Sequence, residues 1–264
     1  MAVIAMLAGL TTPILRDSRE RARTVVCAGK LKQLLGGLLS YETENDSFPY
    51  GFQSYSGTME SPDHYAGIAG TIDLPGRWWF DCLGGIDHAT GAGEKLLTCP
   101  SKRQVGLQFS LNVLCGNYGA NLSLCRVRQY TQPYQEGFSG DRPAPRATLR
   151  PAETLLLVDS GYSLISWWHA TNDPPVSLPR PSLMVGGVQH GAYVPGMKIN
   201  ANRILLPGQA DDAIEGRHPN RTVNVGFADG RVACKKADEL LVEKSGDCWN
   251  SSPLWQPGGD AVTP

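Results

Sequence analysis

Charge is scarce in this chain. Only 19% of its 264 residues are Asp, Glu, Lys or Arg, and the formal net charge is -1. A surface this lean and balanced lacks the basic footprint of a nucleic-acid binder. No run of Lys and Arg supplies one locally, so nucleic acid is not an expected partner. Catalytic signatures are missing as well: there is no H-E-x-x-H, no G-x-S-x-G and no P-loop. The 7 cysteines, at positions 27, 82, 99, 115, 125, 234 and 248, form no C-x-x-C pair, and no Cys/His group has zinc-finger spacing. They fit an oxidising compartment with disulfides or a reducing one with buried thiols, and the odd number leaves at least one unpaired within a monomer. Nor does any apolar run comfortably reach the ~20 residues of a membrane-spanning helix. These absences predict a chain that is not an enzyme and has no catalytic residue, cofactor or metal. A metal-hydrolase reading built on Asp211, Asp212, His218 and Asp229 ranks below a plainer one, with Asp229 in a turn and His218 capping a strand.

What is present points to an α+β fold. Hydrophobic residues make up 41%, enough for a core, and 30 glycines with 19 prolines imply many turns in a β-rich body. Met1 to Leu15 carries no charge and runs directly into the charged segment RDSRERAR. Further on, Leu31, Leu34, Leu35, Leu38, Leu39 and Tyr41 recur at spacings of three and four, which draws one apolar helix face. Gly36 and Gly37 weaken that helix locally and permit close approach of a sheet. Asn45, Asp46 and Pro49 end it. The expected organisation is a long helix over 1–43, with a partial membrane segment at 1–15, a β-rich head over 44–250 and a flexible tail over 251–264.

Within the head, Trp78-Trp79-Phe80 reads as a short helix or core patch. Alternation from Val105 to Val113 reads as a strand, Thr154 to Val158 as a central strand and Leu164 to Trp168 as another. Thr171 to Arg217 reads as a long loop. Val223 to Val232 reads as a β-hairpin turning on two residues, Asp229-Gly230. Lys235 to Val242 reads as a short helix.

Six short motifs, in order, carry a resemblance. Arg19 to Tyr41 has a basic segment, a Cys and a leucine-rich run ending in Tyr; NDSFPYG follows from Asn45. Then come Cys99-Pro100-Ser101, Asn117-Tyr118-Gly119-Ala120-Asn121, PAETLLLVDS from Pro151 to Ser160, and Arg217-His218 with Asn224 to Val232. Together they resemble the type IV pilin-like, type II secretion pseudopilin-like proteins of planctomycetes with the H-x9-D-G feature. Here ten residues separate His218 from Asp229, and Arg231 stands where the family has His. The chain starts inside what resembles the family's membrane helix, so it reads as an N-terminally truncated member without the basic leader and G-F-T-L-x-E.

The resemblance implies a pilin-like fold, a long N-terminal helix packed on an antiparallel sheet with long loops. It implies a non-enzymatic structural protein of a type II secretion or type IV pilus-like assembly. Such a protein is anchored in the inner membrane or a filament, with its head in the periplasm or at the cell surface. Its partners are other pseudopilins or secretion-assembly proteins. Arg16, Arg19, Arg21 and Arg23 beyond the apolar stub would by the charge rule keep the head inside; the family places it outside. The structural residues so implied are Leu31, Leu34, Leu35 and Leu38 for docking the helix, and His218, Asp229 and Gly230 in the H-x9-D-G feature. Cys27 and Cys99 are family Cys positions, bridged as a disulfide or left as two buried thiols. Calcium is the one cofactor the resemblance raises, with Asp211, Asp212 and Glu215 as oxygen ligands. The alternative function is a membrane-tethered extracellular binding module, its contact surface formed by Trp167, Trp168 and the long loop.

Overall fold

A computed structural model describes residues 2–54, 76–86, 93–103, 117–128, 150–171, 183–185, 188–190, 192–203, 205, 208–245, 248–249 and 254–255. The strand expected over 105–113 lies outside them. Helix α1 (Ala2–Asn45) comes first. The strands are β1 (Phe52–Ser54), β2 (Gly76–Trp78), β3 (Tyr118–Asn121), β4 (Val127–Arg128), β5 (Leu155–Asp159), β6 (Leu164–Ile165), β7 (Leu183–Val185), β8 (Val188–His190), β9 (Thr222–Phe227), β10 (Val232–Lys236), β11 (Lys244–Ser245) and β12 (Cys248–Trp249). Two short helices, α2 (Glu94–Leu97) and α3 (Ala210–Glu215), interrupt them.

α1 divides into two parts by environment. Cys27, Leu31, Leu34, Leu35, Leu38 and Glu42 recur at three- and four-residue spacing, and all are buried. Between Leu15 and Val26 the helix is mostly exposed: Leu15, Val25 and Val26 are 56%, 72% and 52% accessible. Ion pairs Arg21–Asp17 and Arg23–Glu20 decorate this stretch, each worth only a few tenths of a kcal/mol at the surface. Among the described residues, no helix is long and apolar enough to cross a membrane. The helix stops where Asp46 takes a left-handed backbone, φ 56°.

The central sheet has the order β10-β9-β5-β3-β6. Its neighbours are antiparallel except β3 and β6, which are parallel. A second sheet, β2-β1-β4, is also mixed, since β1 and β4 are parallel. The architecture is therefore α+β with mixed sheets, where the sequence suggested an antiparallel one. β5 is buried along its whole length, as the unbroken Leu-Leu-Leu-Val run requires of a strand covered on both faces.

One cover is α1. A Cβ on Gly226 of β9 would lie 2.5 Å from Leu35 Cδ1, so the missing side chain is the space that Leu35 fills. Asn224, two residues earlier, also faces α1 and reaches the Thr24 carbonyl at 3.4 Å. Val223, Val225 and Phe227 alternate to the opposite face and are buried there. The close approach of helix and sheet thus comes from Gly226. Gly37 of α1 is instead beside Leu83, and Gly36 has nothing near it.

Three local expectations need correction. The stretch 171–217 is not one loop: it contains the hairpin β7–β8 and α3. The β9–β10 hairpin turns on three residues, not two. Gly226 pairs with Val232, Gly230 N donates to Phe227 O, and Gly230 takes φ 85° as the last loop residue. In the segment expected to be a flexible tail, Trp255 is fully buried; its indole N–H donates to Leu240 O, and its carbonyl accepts from Asn121. An indole with both an apolar socket and a hydrogen-bond partner is held, not frayed. A 3-10 turn at Trp79–Cys82 stands where a short helix or core patch was expected, and Trp78, Trp79 and Phe80 are core; of the helix expected over Lys235 to Val242, Lys235 and Lys236 belong to β10 and only Ala237–Leu240 is a 3-10 turn.

Gly226→Ala is expected to cost about 1–3 kcal/mol in urea unfolding through overpacking against Leu35. Combined with Leu35→Ala, it should cost clearly less than the two single losses added together. Strict additivity would show that Leu35 does not occupy the Gly226 space.

Candidate functional site

Where α1 enters the head, four segments bring potential ligand or reactive groups together. Cys27 comes from the helix, Cys99 follows α2, Asp159 ends β5, and His218 precedes β9. Their side-chain donor atoms all lie within 4.8 Å of one another. The two sulfurs are 3.5 Å apart, Cys27 Sγ is 3.3 Å from Asp159 Oδ1, His218 Nε2 is 3.2 Å from Asp159 Oδ2, and Cys99 Sγ is 3.9 Å from His218 Nε2. None of the four is more than 2% exposed.

Surrounding groups fix their orientation. The Thr24 hydroxyl donates to the Glu20 carbonyl at 2.9 Å, so at 3.2 Å it must accept from His218 Nδ1–H. That turns Nε2 toward the cluster. Asp159 Oδ2 accepts the Asn224 backbone N–H at 2.7 Å, and the Tyr118 hydroxyl lies 3.2 Å from Cys27 Sγ.

These contacts set the protonation states. The hydrogen bond between the sulfurs lowers Cys99 to about 6 against the opposing effect of burial, with a further contribution from His218. The same bond, with burial and the Asp159 charge, drives Cys27 up. Burial alone would lower His218, but its bonds to Asp159 and Cys99 and the Asp159 charge raise it to about 10. Burial opposes ionisation of Asp159 too, yet His218, Arg217 and the Asn224 N–H keep it below the usual carboxylate range.

Beside the cluster is a second buried assembly. Arg217, fully buried, places Nε at 2.9 Å and 3.0 Å from the two Asp212 oxygens and Nη2 at 2.7 Å from Oδ2. Its other donors reach the Asn117 and Ser160 carbonyls at 2.7 Å and 2.8 Å. Asp212 also accepts from the Tyr193 hydroxyl and the Arg103 backbone N–H. Arg217 thereby ties together the segments that precede β3, follow Asp159 and precede His218.

A Cys, a His and an Asp in contact invite comparison with a nucleophilic triad, but the wiring differs. In a triad the carboxylate holds the ring nitrogen opposite to the one facing the nucleophile. Here Nε2 faces both Asp159 and Cys99, while Nδ1 is held by Thr24. The sulfurs are also closed off from solvent. The arrangement can bind a small cation or couple two sulfurs; it presents no surface to a substrate.

The expected residues fall into distinct groups. Cys27, Cys99 and His218 are brought together; His218 makes no side-chain cap at the turn it precedes. Cys27 and Cys99 lie side by side, buried and unbridged, with their sulfurs 3.5 Å apart. Leu31, Leu34, Leu35 and Leu38 form the helix seat. Asp229 and Gly230 belong to the hairpin turn, where Asp229 Oδ1 accepts from Arg231 N at 2.9 Å. The calcium trio does not assemble: Asp212 is the counter-ion of Arg217, Glu215 pairs with Arg103 at 2.6 Å, and Asp211 is exposed. Of the aromatic pair expected to form a contact surface, Trp167 is 2% exposed and lines the core, and the Trp168 side chain lies outside the described residues.

Asp159, Tyr118, Asn224 and Arg217 were not singled out as site residues from sequence, although each lies inside one of the six motifs. The available signal was phase: Cys27 stands four residues before Leu31, on the buried stripe. No protein-family model, curated protein or solved structure matches the chain.

Asp212→Asn should cost about 3–5 kcal/mol in thermal or urea unfolding, because it strands a buried guanidinium. Replacing both partners, Asp212→Leu with Arg217→Met, should cost less than Asp212→Asn alone. A double variant that is the weaker of the two would show that Arg217 acts chiefly through its backbone carbonyl partners.

Proposed function

We propose that this chain is a pilin-like, non-enzymatic structural protein. Helix α1 anchors it in the inner membrane or among like helices of a filament, and the head is displayed in the periplasm or at the cell surface. The observation that carries this reading is the division of α1. From Cys27 onward the helix is built into the head, whereas Leu15, Val25 and Val26 are apolar and exposed. A helix with one half buried in its own domain and exposed apolar residues on the other suits packing against other helices or lipid, at roughly 25 cal/mol per Å² of apolar surface covered. The order of the six motifs supports the same reading and suggests other pseudopilins or secretion-assembly proteins as partners. Burial of Trp167 removes half of the aromatic surface that a tethered binding module would use.

Val25→Glu with Val26→Glu, introduced in the native host, tests the proposal. Both positions are exposed, so the unfolding midpoint of the head should stay put while the protein leaves the membrane or filament fraction. Leu38→Glu should do the reverse and open the head to proteolysis. Wild-type protein recovered only as a soluble monomer, or a Val25/Val26 variant that still cofractionates, would overturn the reading.

A further inference from the structure

We propose that Cys27, Cys99, Asp159 and His218 form a closed structural site for a divalent transition metal, zinc in the cell, that staples α1 to the head. The inference is independent of the pilin-like reading.

Geometry is the first argument. Zinc holds sulfur at about 2.3 Å and nitrogen or oxygen at about 2.0–2.2 Å. A tetrahedron with those bonds has edges of about 3.8 Å between two sulfurs, about 3.5 Å from sulfur to nitrogen or oxygen, and about 3.4 Å from nitrogen to oxygen. Here the sulfurs are 3.5 Å apart, Cys27 Sγ is 3.3 Å from Asp159 Oδ1, Cys99 Sγ is 3.9 Å from His218 Nε2, His218 Nε2 is 3.2 Å from the other carboxylate oxygen, Oδ2, and all four donors lie within 4.8 Å of one another. The four groups already converge on one point at ligand-scale spacing, and loading turns one Asp159 oxygen toward it.

Donor chemistry is the second. Two thiols, an imidazole and a carboxylate suit zinc or cobalt and not calcium or magnesium, which take oxygen sets. Four protein donors with no solvent access leave no open position, the mark of a structural rather than a catalytic centre.

The third is the outer layer. Thr24 fixes His218 by Nδ1, which leaves Nε2 as the ligand, and the Asn224 N–H fixes Asp159. A Cys27–Cys99 disulfide would need the sulfurs to close to about 2.05 Å. It would also leave the equally buried Asp159 and His218 unexplained. A metal uses all four. Loading displaces the protons the donor atoms still carry, which are released to solvent.

The test uses the full chain, produced with zinc in the medium and purified without chelator. Elemental analysis should find about one zinc per chain. Exchange into cobalt should give thiolate-to-cobalt charge-transfer absorption and the intense visible bands of a tetrahedral ion. Cys99→Ser and His218→Ala should each weaken metal retention by more than about tenfold, while Cys234→Ser, at an exposed thiol, should leave it intact. Chelation should lower the melting temperature of the wild type. The wild-type cobalt spectrum keeps the proposal falsifiable if a variant fails to fold. Wild-type protein that folds with only trace metal and a silent cobalt spectrum would overturn it. So would a peptide map of the native chain showing Cys27 bonded to Cys99.

Discussion

Leu35 rests where Gly226 has no side chain, and the rest of the architecture follows from that contact. β9 can accept a helix at this distance only because one face of the strand, Asn224 and Gly226, is small or polar where α1 crosses it. The opposite face, Val223, Val225 and Phe227, faces away from α1 and is buried. β5, next to β9, is buried throughout and needs cover on both faces. Without α1 its apolar surface would be open to water. The helix is therefore a layer of the head as well as an extension from it.

Apolar contact alone would not fix where along its axis the helix sits. Leucine side chains tolerate sliding better than hydrogen bonds do, and a ridge of Leu31, Leu34, Leu35 and Leu38 repeats itself nearly every turn. The polar cluster removes that freedom. Cys27 must meet Cys99 and Asp159, and Thr24 must meet His218, at one register only. A shift by one turn, about 5.4 Å, would take Thr24 from His218 Nδ1 and Cys27 from Asp159 Oδ1 and Cys99, stripping buried polar atoms of those partners. Buried polar groups left in that state cost several kcal/mol each. Arg217 and Asp212 extend the same logic to the loops, since one guanidinium holds the segments before β3, after β5 and before β9.

Elements defined by local pattern were legible in the sequence. The leucine stripe marks α1, the unbroken Leu-Leu-Leu-Val run marks β5, and Asp229-Gly230 marks the hairpin, with its loop length misjudged by one residue. Pairing between distant segments was not legible. The parallel neighbours β3 and β6 are joined through intervening chain whose periodicity says nothing about direction. Trp255 sits among polar, Pro- and Gly-rich residues, and only the socket formed by distant parts of the head explains its burial. The cluster was half legible: its residue types lay in view inside motifs, but Cys27 and Cys99 are 72 positions apart and Cys27 and Asp159 are 132. No local spacing rule reaches across such intervals.

The cluster also lies at the mechanically critical point. α1 leaves the head between Thr24 and Cys27, and the helix from Ala2 to Val26 rises roughly 37 Å at 1.5 Å per residue. Any force applied along that length is transmitted to the junction. Leu35 and Leu38 resist lateral displacement by packing, but dispersion contacts are short-ranged and each is weak. Bonds between Cys27, Cys99, Asp159 and His218 resist axial displacement, and they do so at the first buried turn, where the load arrives. A helix that enters a head of mixed sheets is held in both directions by directional groups at its entrance and apolar ones behind. The order of residues along α1, with Thr24 and Cys27 ahead of the leucines, has that arrangement.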